Sequence, residues 1–332
     1  MTRCADTRCL AFLGDVMLGR GVSRSLHRHG PEWLWGDALP VLHAADAVFA
    51  NLESPITASR RRWNDGWKMF HFRADPTAIR VLECGRVRFV CLANNHILDF
   101  AEQGLSDTLE ALDAAGIRYA GAGRDATAAA APAMLELPGL VVGLIAATDN
   151  MREFAAGPNR AGVNFAAFTP DTAGLNWIRQ AVIELRRAGA ALVVLSLHWG
   201  PNMRRSPSRR FRAFAHAVID FGVDVVHGHS AHVVQAIERH GNGVILYDTG
   251  NFIDDYWKFP LRRTIWSFIF LLHVSAGRLV KLQLVPVLLH ASPLGLAKGT
   301  TSQAIKEHMM SLCTEFDTPA VDTPAGLEIP LT

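Results

Sequence analysis

Six short apolar runs each end in side chains that bind metals or move protons. Leu10–Leu13 runs into Gly14-Asp15, Ala47–Ala50 into Asn51-Leu52-Glu53, and Phe89–Ala93 into Asn94-Asn95-His96. Leu192–Leu197 runs into His198-Trp199-Gly200. Val223–Val226 runs into His227-Gly228-His229, with His232 close behind. Val244–Tyr247 runs into Asp248-Thr249-Gly250-Asn251. Carboxylate and amide oxygens mixed with imidazole nitrogens suit Zn, Mn or Fe rather than a thiolate site. Asp15, Glu53, Asn95, His198, His229 and His232 are the candidate ligands. Taken singly, each has a plainer reading: an Asp after a strand is usually a turn or a cap, and a strand-end His is usually a satisfied hydrogen-bonder. Taken together, they point to one site.

For these residues to meet, the strands must lie parallel, with their tips along one edge. That edge is where open α/β sheets bind ligands. Helical periodicity supplies the crossovers. Gln103–Ala115 aligns Leu105, Leu109 and Leu112 and stops at Gly116; Leu175–Ala188 aligns Leu175, Ile178, Val182 and Leu185 and stops at Gly189. A third helix is expected to begin with Ser206 as cap and Pro207 in the first turn, with Phe211, Phe214, Val218 and Phe221 inward and Gly222 at its end. A further strand is read at Val141–Ala147. Strand–helix–strand order implies a largely parallel, covered sheet. Ser267–Val274 and Arg278–Leu289 read as a hairpin, so the sheet is mixed or a second sheet exists. A last helix is expected over Gln303–Phe316. The Thr- and Pro-rich stretch after Asp317 is expected to be a mobile tail on a single domain of residues 1–316.

The 332 residues are 49% hydrophobic and 19% charged, as in a globular protein with a large core. A net charge of +2 demands no nucleic-acid partner, and none is expected. Five cysteines, an odd number without a CxxC pair, argue against a disulfide scaffold and a structural zinc site. The N-terminal apolar stretch is short and broken by Asp15, and no run reaches the ~18 apolar residues of a membrane helix. A cytoplasmic location is the expectation.

The segments GDVMLGR (14–20), ANLESPIT (50–57), LANNHILDF (92–100), HWGPN (198–202), VVHGHSAHVVQAIE (225–238) and ILYDTGNF (245–252) resemble the CapA family of capsule, or poly-γ-glutamate, synthesis proteins. The resemblance spans about residues 10–290, and six ordered blocks are far more specific than one. It implies a calcineurin-like metallophosphoesterase fold, a four-layer α/β/β/α sandwich with one or two divalent metals between its sheets. Carried across, Asp15 is a ligand of the first metal and Glu53 stands where the broader family has a bridging Asp. Asn95, His198 and His229 bind the second metal, and His232 completes the first. His96 becomes the acid or leaving-group contact. Met17 replaces the usual His of an Asp-x-His block, and the usual His-x-His is stretched to His229-x-x-His232. Both departures fall on the first metal, so a one-metal site is within expectation.

The implied chemistry is metal-assisted hydrolysis. Asp99, three residues past His96, either orients that ring or caps the following helix. Asn51, Asn94 and Asn251 at the strand tips and Arg204 beyond His198 are candidate substrate contacts. Two basic stretches can draw in an anionic small molecule or polymer: Arg60–Arg62 with Trp63, Trp67, Lys68 and Arg73, and Arg204-Arg205 with Arg209, Arg210 and Arg212. Most of these arginines read more readily as solvated surface. Three functions follow: a hydrolase of a phosphoester or γ-glutamyl amide, an assembly or transport factor for an anionic capsular polymer, or a soluble biosynthetic enzyme handling an amide.

Overall fold

The computed structural model describes residues 7–256, 264–289 and 293–332. Two sheets carry the architecture. The larger has ten strands. Its centre is Thr7–Val16, paired in parallel with Ala47–Leu52, which pairs in parallel with Val87–Cys91 and so to Arg118–Ala120. On the other side Thr7–Val16 pairs antiparallel with Trp266–Ser275, the first arm of a hairpin with Arg278–Leu288. The second sheet has six strands; Leu140–Thr148, Leu192–His198, Val225–His229 and Gly243–Leu246 are its parallel centre. The sheet is thus both mixed and doubled.

Strand periodicity explains the layering. In Thr7–Val16, Leu10 and Phe12 face the second sheet, and Phe12 stacks at 4.8 Å on its in-sheet neighbour Phe49. Ala11 and Leu13 face outward, into a core shared with Val22 and Leu26 of the helix Arg20–His29 and Leu105, Leu109 and Leu112 of the helix Ala101–Ala114. In Leu192–His198 the inward side carries Leu192 and Val194. Val193, Leu195 and Leu197 pack outward on Ile178, Val182 and Leu185 of the helix Thr172–Arg187 and on Phe214 and Val218 of the helix Arg209–Asp220. Helix, sheet, sheet, helix is the four-layer sandwich expected.

Three local differences have physical causes. Ser208, not Ser206, caps the helix Arg209–Asp220, its hydroxyl accepting from Phe211 N at 3.2 Å. The last helix begins earlier, at Gly299, and its Ile305, Met309 and Cys313 fill the space between the sheets. The expected mobile tail is instead a hairpin, Val321–Thr323 with Gly326–Pro330, whose second strand extends the larger sheet beside Arg278–Leu288. Leu327 and Ile329, alternating on one face, are fully buried and anchor it. Among the described residues, Cys84, Cys91 and Cys313 are free thiols. Among the described residues, no helix is long and apolar enough to cross a membrane.

Candidate metal centre

The C-terminal tips of the two sheets face one another, and the candidate ligands meet there. Asp15 leaves the central strand at a place where only glycine fits before it: a Cβ at Gly14 would lie 1.8 Å from Gly250 O. That close approach seats Asp15 beside Asn251, its pairing partner across the sheet. Asp15 is fully buried. Asn51 Nδ2 donates to Asp15 Oδ1 at 2.8 Å and lies 3.3 Å from His198 Nδ1 on the opposite sheet. His198 Nδ1 and His229 Nδ1 are 3.0 Å apart, and each lies within 4 Å of Asp15 Oδ1. Asn95 Oδ1 sits 3.0 Å from His198 Nε2.

Two donor groups result, Asp15 with His198 and His229, and Asp15 with Glu53 and His232. Asp15 is common to both, whereas Glu53 belongs to one. The stretched His229-x-x-His232 spacing still delivers His232, through backbone that ordinary residues rarely adopt: φ is 114° at Ser230 and 60° at His232. Asp248 holds that loop, its carboxylate accepting from Ala231 N and Gly250 N, both at 2.8 Å. His232 Nδ1 lies 2.8 Å from Asn251 Oδ1 and 3.5 Å from Asp15 Oδ2. Met17 turns away into the outer core, where its sulfur accepts from Gly19 N.

The electrostatics suit a cation. Asp15 Oδ2 and Glu53 Oε1 are buried and accept no hydrogen bond among the described residues, a costly arrangement unless something positive faces them. Burial works to raise Asp15, but nearby His232 and His198 hold it below the usual carboxylate range. Burial and then the charge of Asp15 push Glu53 up to about 8. Burial pulls His198 down to about 3 and His229 well below the ordinary imidazole range, so both rings are neutral and offer lone pairs. Burial opposes a charge on His232 as well, yet Asp15 and Glu53 raise it to about 10. Asp15, the neutral rings of His198 and His229 and the Asn95 amide oxygen suit a borderline divalent cation, and a cation beside Glu53 and His232 would displace the protons those groups hold without it.

His96 stands beside this cluster. Its Nδ1 lies 2.7 Å from Asp99 Oδ2, and burial, then Lys68, keeps the ring neutral. Asp99 also accepts from Phe72 N and pairs with Lys68 at 3.1 Å. The helix Ala101–Ala114 has no side-chain cap, so Asp99 serves His96 rather than the helix. Asn51 and Asn94 are consumed inside the network: Asn94 donates to Asn51 Oδ1 and Leu52 O and accepts from His96 N and Ile97 N. Asn251 and His232 line an open cleft of about 600 Å³ over the donors, whereas Arg204 lines a separate depression beside Trp199.

Some residues escape a reading of strand tips. Tyr256 donates to Glu53 Oε2 at 2.7 Å. Lys68 donates to Asn95 O as well as pairing with Asp99, and its side chain is 7% exposed. In sequence Lys68 sits among basic residues that read as solvated, and Tyr256 lies in a segment with no period. Asp248 does follow a strand, and that position is its only signal.

Residues 9–256 match the family described as bacterial capsule synthesis protein PGA_cap. The chain is 31% identical to a probable polyglutamine synthesis accessory protein of Mycobacterium tuberculosis, over 95% of this chain and 93% of that one. It is 29% identical to the capsule biosynthesis protein CapA of Bacillus anthracis, over 84% of this chain and 66% of the relative. A looser likeness links it to a solved putative 5′-nucleotidase of Staphylococcus aureus, 12% identical over 91% of this chain and 58% of that one, with a TM-score of 0.47.

Proposed function

We propose, from the premise that this chain belongs to the PGA_cap family of bacterial capsule synthesis proteins, that it is a divalent-metal hydrolase. Its substrate is a phosphoester or γ-glutamyl amide of an anionic compound used in making a capsular or polyglutamate-type polymer. One observation carries this reading: two buried carboxylates, each with an oxygen left without a hydrogen bond, face imidazoles from the opposite sheet.

Asp15, His198 and His229, with Asn95 Oδ1 beside them, would hold one cation. Asp15, Glu53 and His232 would hold a second. Zn, Mn or Fe fits these donors. When bound, such a cation supplies Lewis acidity toward a phosphoryl or carbonyl oxygen. Asn51 orients Asp15, and Asn251 orients His232. Asp99 ties down His96 Nδ1, which leaves Nε2 as the nitrogen to exchange a proton with the leaving group.

The test is elemental analysis of protein purified without an affinity metal, beside Glu53→Ala and His198→Ala. Metal in the wild type that is partly lost from each variant is expected, because each removes a ligand from one of the two groups. An empty wild type, even after reloading with Mn or Zn, sinks the hydrolase. His96→Ala is expected to keep its metal and lose about 10²–10⁴-fold in kcat.

The description of the Mycobacterium tuberculosis relative as an accessory protein favours a second reading, an assembly or transport factor for an anionic polymer that keeps a structural metal. Protein that loads metal yet turns over neither phosphoesters nor γ-glutamyl amides would support it.

A further inference from the structure

Four large apolar side chains are exposed among the described residues: Trp67 at 82%, Met69 at 65%, Phe70 at 54% and Val321 at 55%. Three of the four lie within one four-residue stretch, and all three line the cleft over the donor cluster. Exposed apolar surface gathered beside a polar site marks a binding surface. Here it is continuous with the candidate metal centre.

The rings lead from the rim to the donors. Phe70 and Phe72 are stacked, with centroids 6.2 Å apart and planes 15° apart. Phe72 stacks in turn on His96 at 4.1 Å and on Tyr256 at 5.3 Å, with planes within 30°. Tyr256 is bonded to Glu53. Flat faces that share an orientation receive another flat ring by offset stacking better than they receive a flexible chain.

The charges point the same way. A polyanionic strand needs unpaired cations along its groove. Among the described residues that line the cleft, Arg20 is paired with Asp255 at 3.3 Å, Lys68 with Asp99 at 3.1 Å, and His232 lies 3.5 Å from Asp15.

We propose that the cleft takes a substrate with an acidic head at the metal donors and a planar aromatic body stacked on the exposed faces of Trp67 and Phe70, which Phe72 backs from within. The inference rests on the metal-centre reading above and narrows its substrate.

The experiment is calorimetric titration of Mn-loaded protein with methylphosphonate, n-hexylphosphonate, phenylphosphonate and a γ-linked glutamate tetramer. Wild type and the double variant Trp67→Ala/Phe70→Ala are compared. Both side chains are exposed, so the fold tolerates their loss. Phenylphosphonate is expected to bind about tenfold tighter than methylphosphonate, with the ratio falling toward one in the variant. Equal binding of the two in wild type overturns the aromatic subsite while leaving the metal reading intact. Hexylphosphonate matching phenylphosphonate, or the tetramer exceeding it, overturns it as well. Methylphosphonate that fails to bind a chain unable to retain Mn removes the metal reading, and the proposal falls with it.

Discussion

Asp15 is the carboxylate that both donor groups share, and it is anchored by Asn51 and by the contact of Gly14 with Gly250. Its loss therefore ought to disarm the whole centre, while other losses disarm half. Elemental analysis after reloading with Mn is expected to find no metal in Asp15→Ala. His229→Ala and His232→Ala should each keep part of the wild-type content, because each removes a ligand from only one group. Partial content in Asp15→Ala would show that Glu53 is the shared ligand, as the resemblance implies. Asn51 and Asn94 change meaning at this scale. Both stand at strand tips, as substrate contacts should, but every contact they make is to the protein. A residue type and a position reveal that a polar group is near the site. Only its partners reveal whether it is free to meet a ligand.

The helix Arg209–Asp220 follows the His198 tip, and its start depends on one hydroxyl. Ser206 and Ser208 both precede it, and Pro207 makes Ser206 look like the cap. The structure gives the bond to Ser208. Ser208→Ala is expected to cost about 1 kcal/mol in urea unfolding, and exposed Ser206→Ala close to nothing. The C-terminal hairpin offers a second test. If residues 321–330 were loose, Leu327→Ala would be silent. Because Leu327 is fully buried between the sheets, a loss of about 2–5 kcal/mol is expected. The central strands were legible because each is a short apolar run that ends abruptly in polar residues. Their helices were legible from spacing. The hairpin was not, since its strands are short and sit in a Thr- and Pro-rich stretch. The seat of His232 was not legible either, because it depends on positive φ at Ser230, which no spacing reveals. Lys68 and Tyr256 lie on irregular chain, where burial is decided by tertiary packing alone.

At the scale of the molecule, the donor cluster joins two layers that are otherwise held by apolar contact. Asp15 belongs to the larger sheet and Glu53 directly follows its strand Ala47–Leu52, and His198 and His229 belong to the smaller. The helix Gly299–Thr314 fills the space between the sheets with Ile305, Met309 and Cys313. The tips instead present carboxylates and imidazoles whose burial away from water is costly, a cost that a bound cation would offset. A bound metal therefore clamps the sandwich at its tips. At a free metal concentration about 100 times Kd, the folded state gains about 2.7 kcal/mol. The gain should be local as well as global. Hydrogen exchange is expected to slow on Mn addition in residues 198–203 and 228–232, which carry ligands from the smaller sheet. The amides of the helix Gly299–Thr314 are held by their own hydrogen bonds and core and should change little. In Asp15→Ala neither region should respond. Uniform slowing across both regions would mean that the metal stabilises only through global unfolding, and the clamp would have to be abandoned.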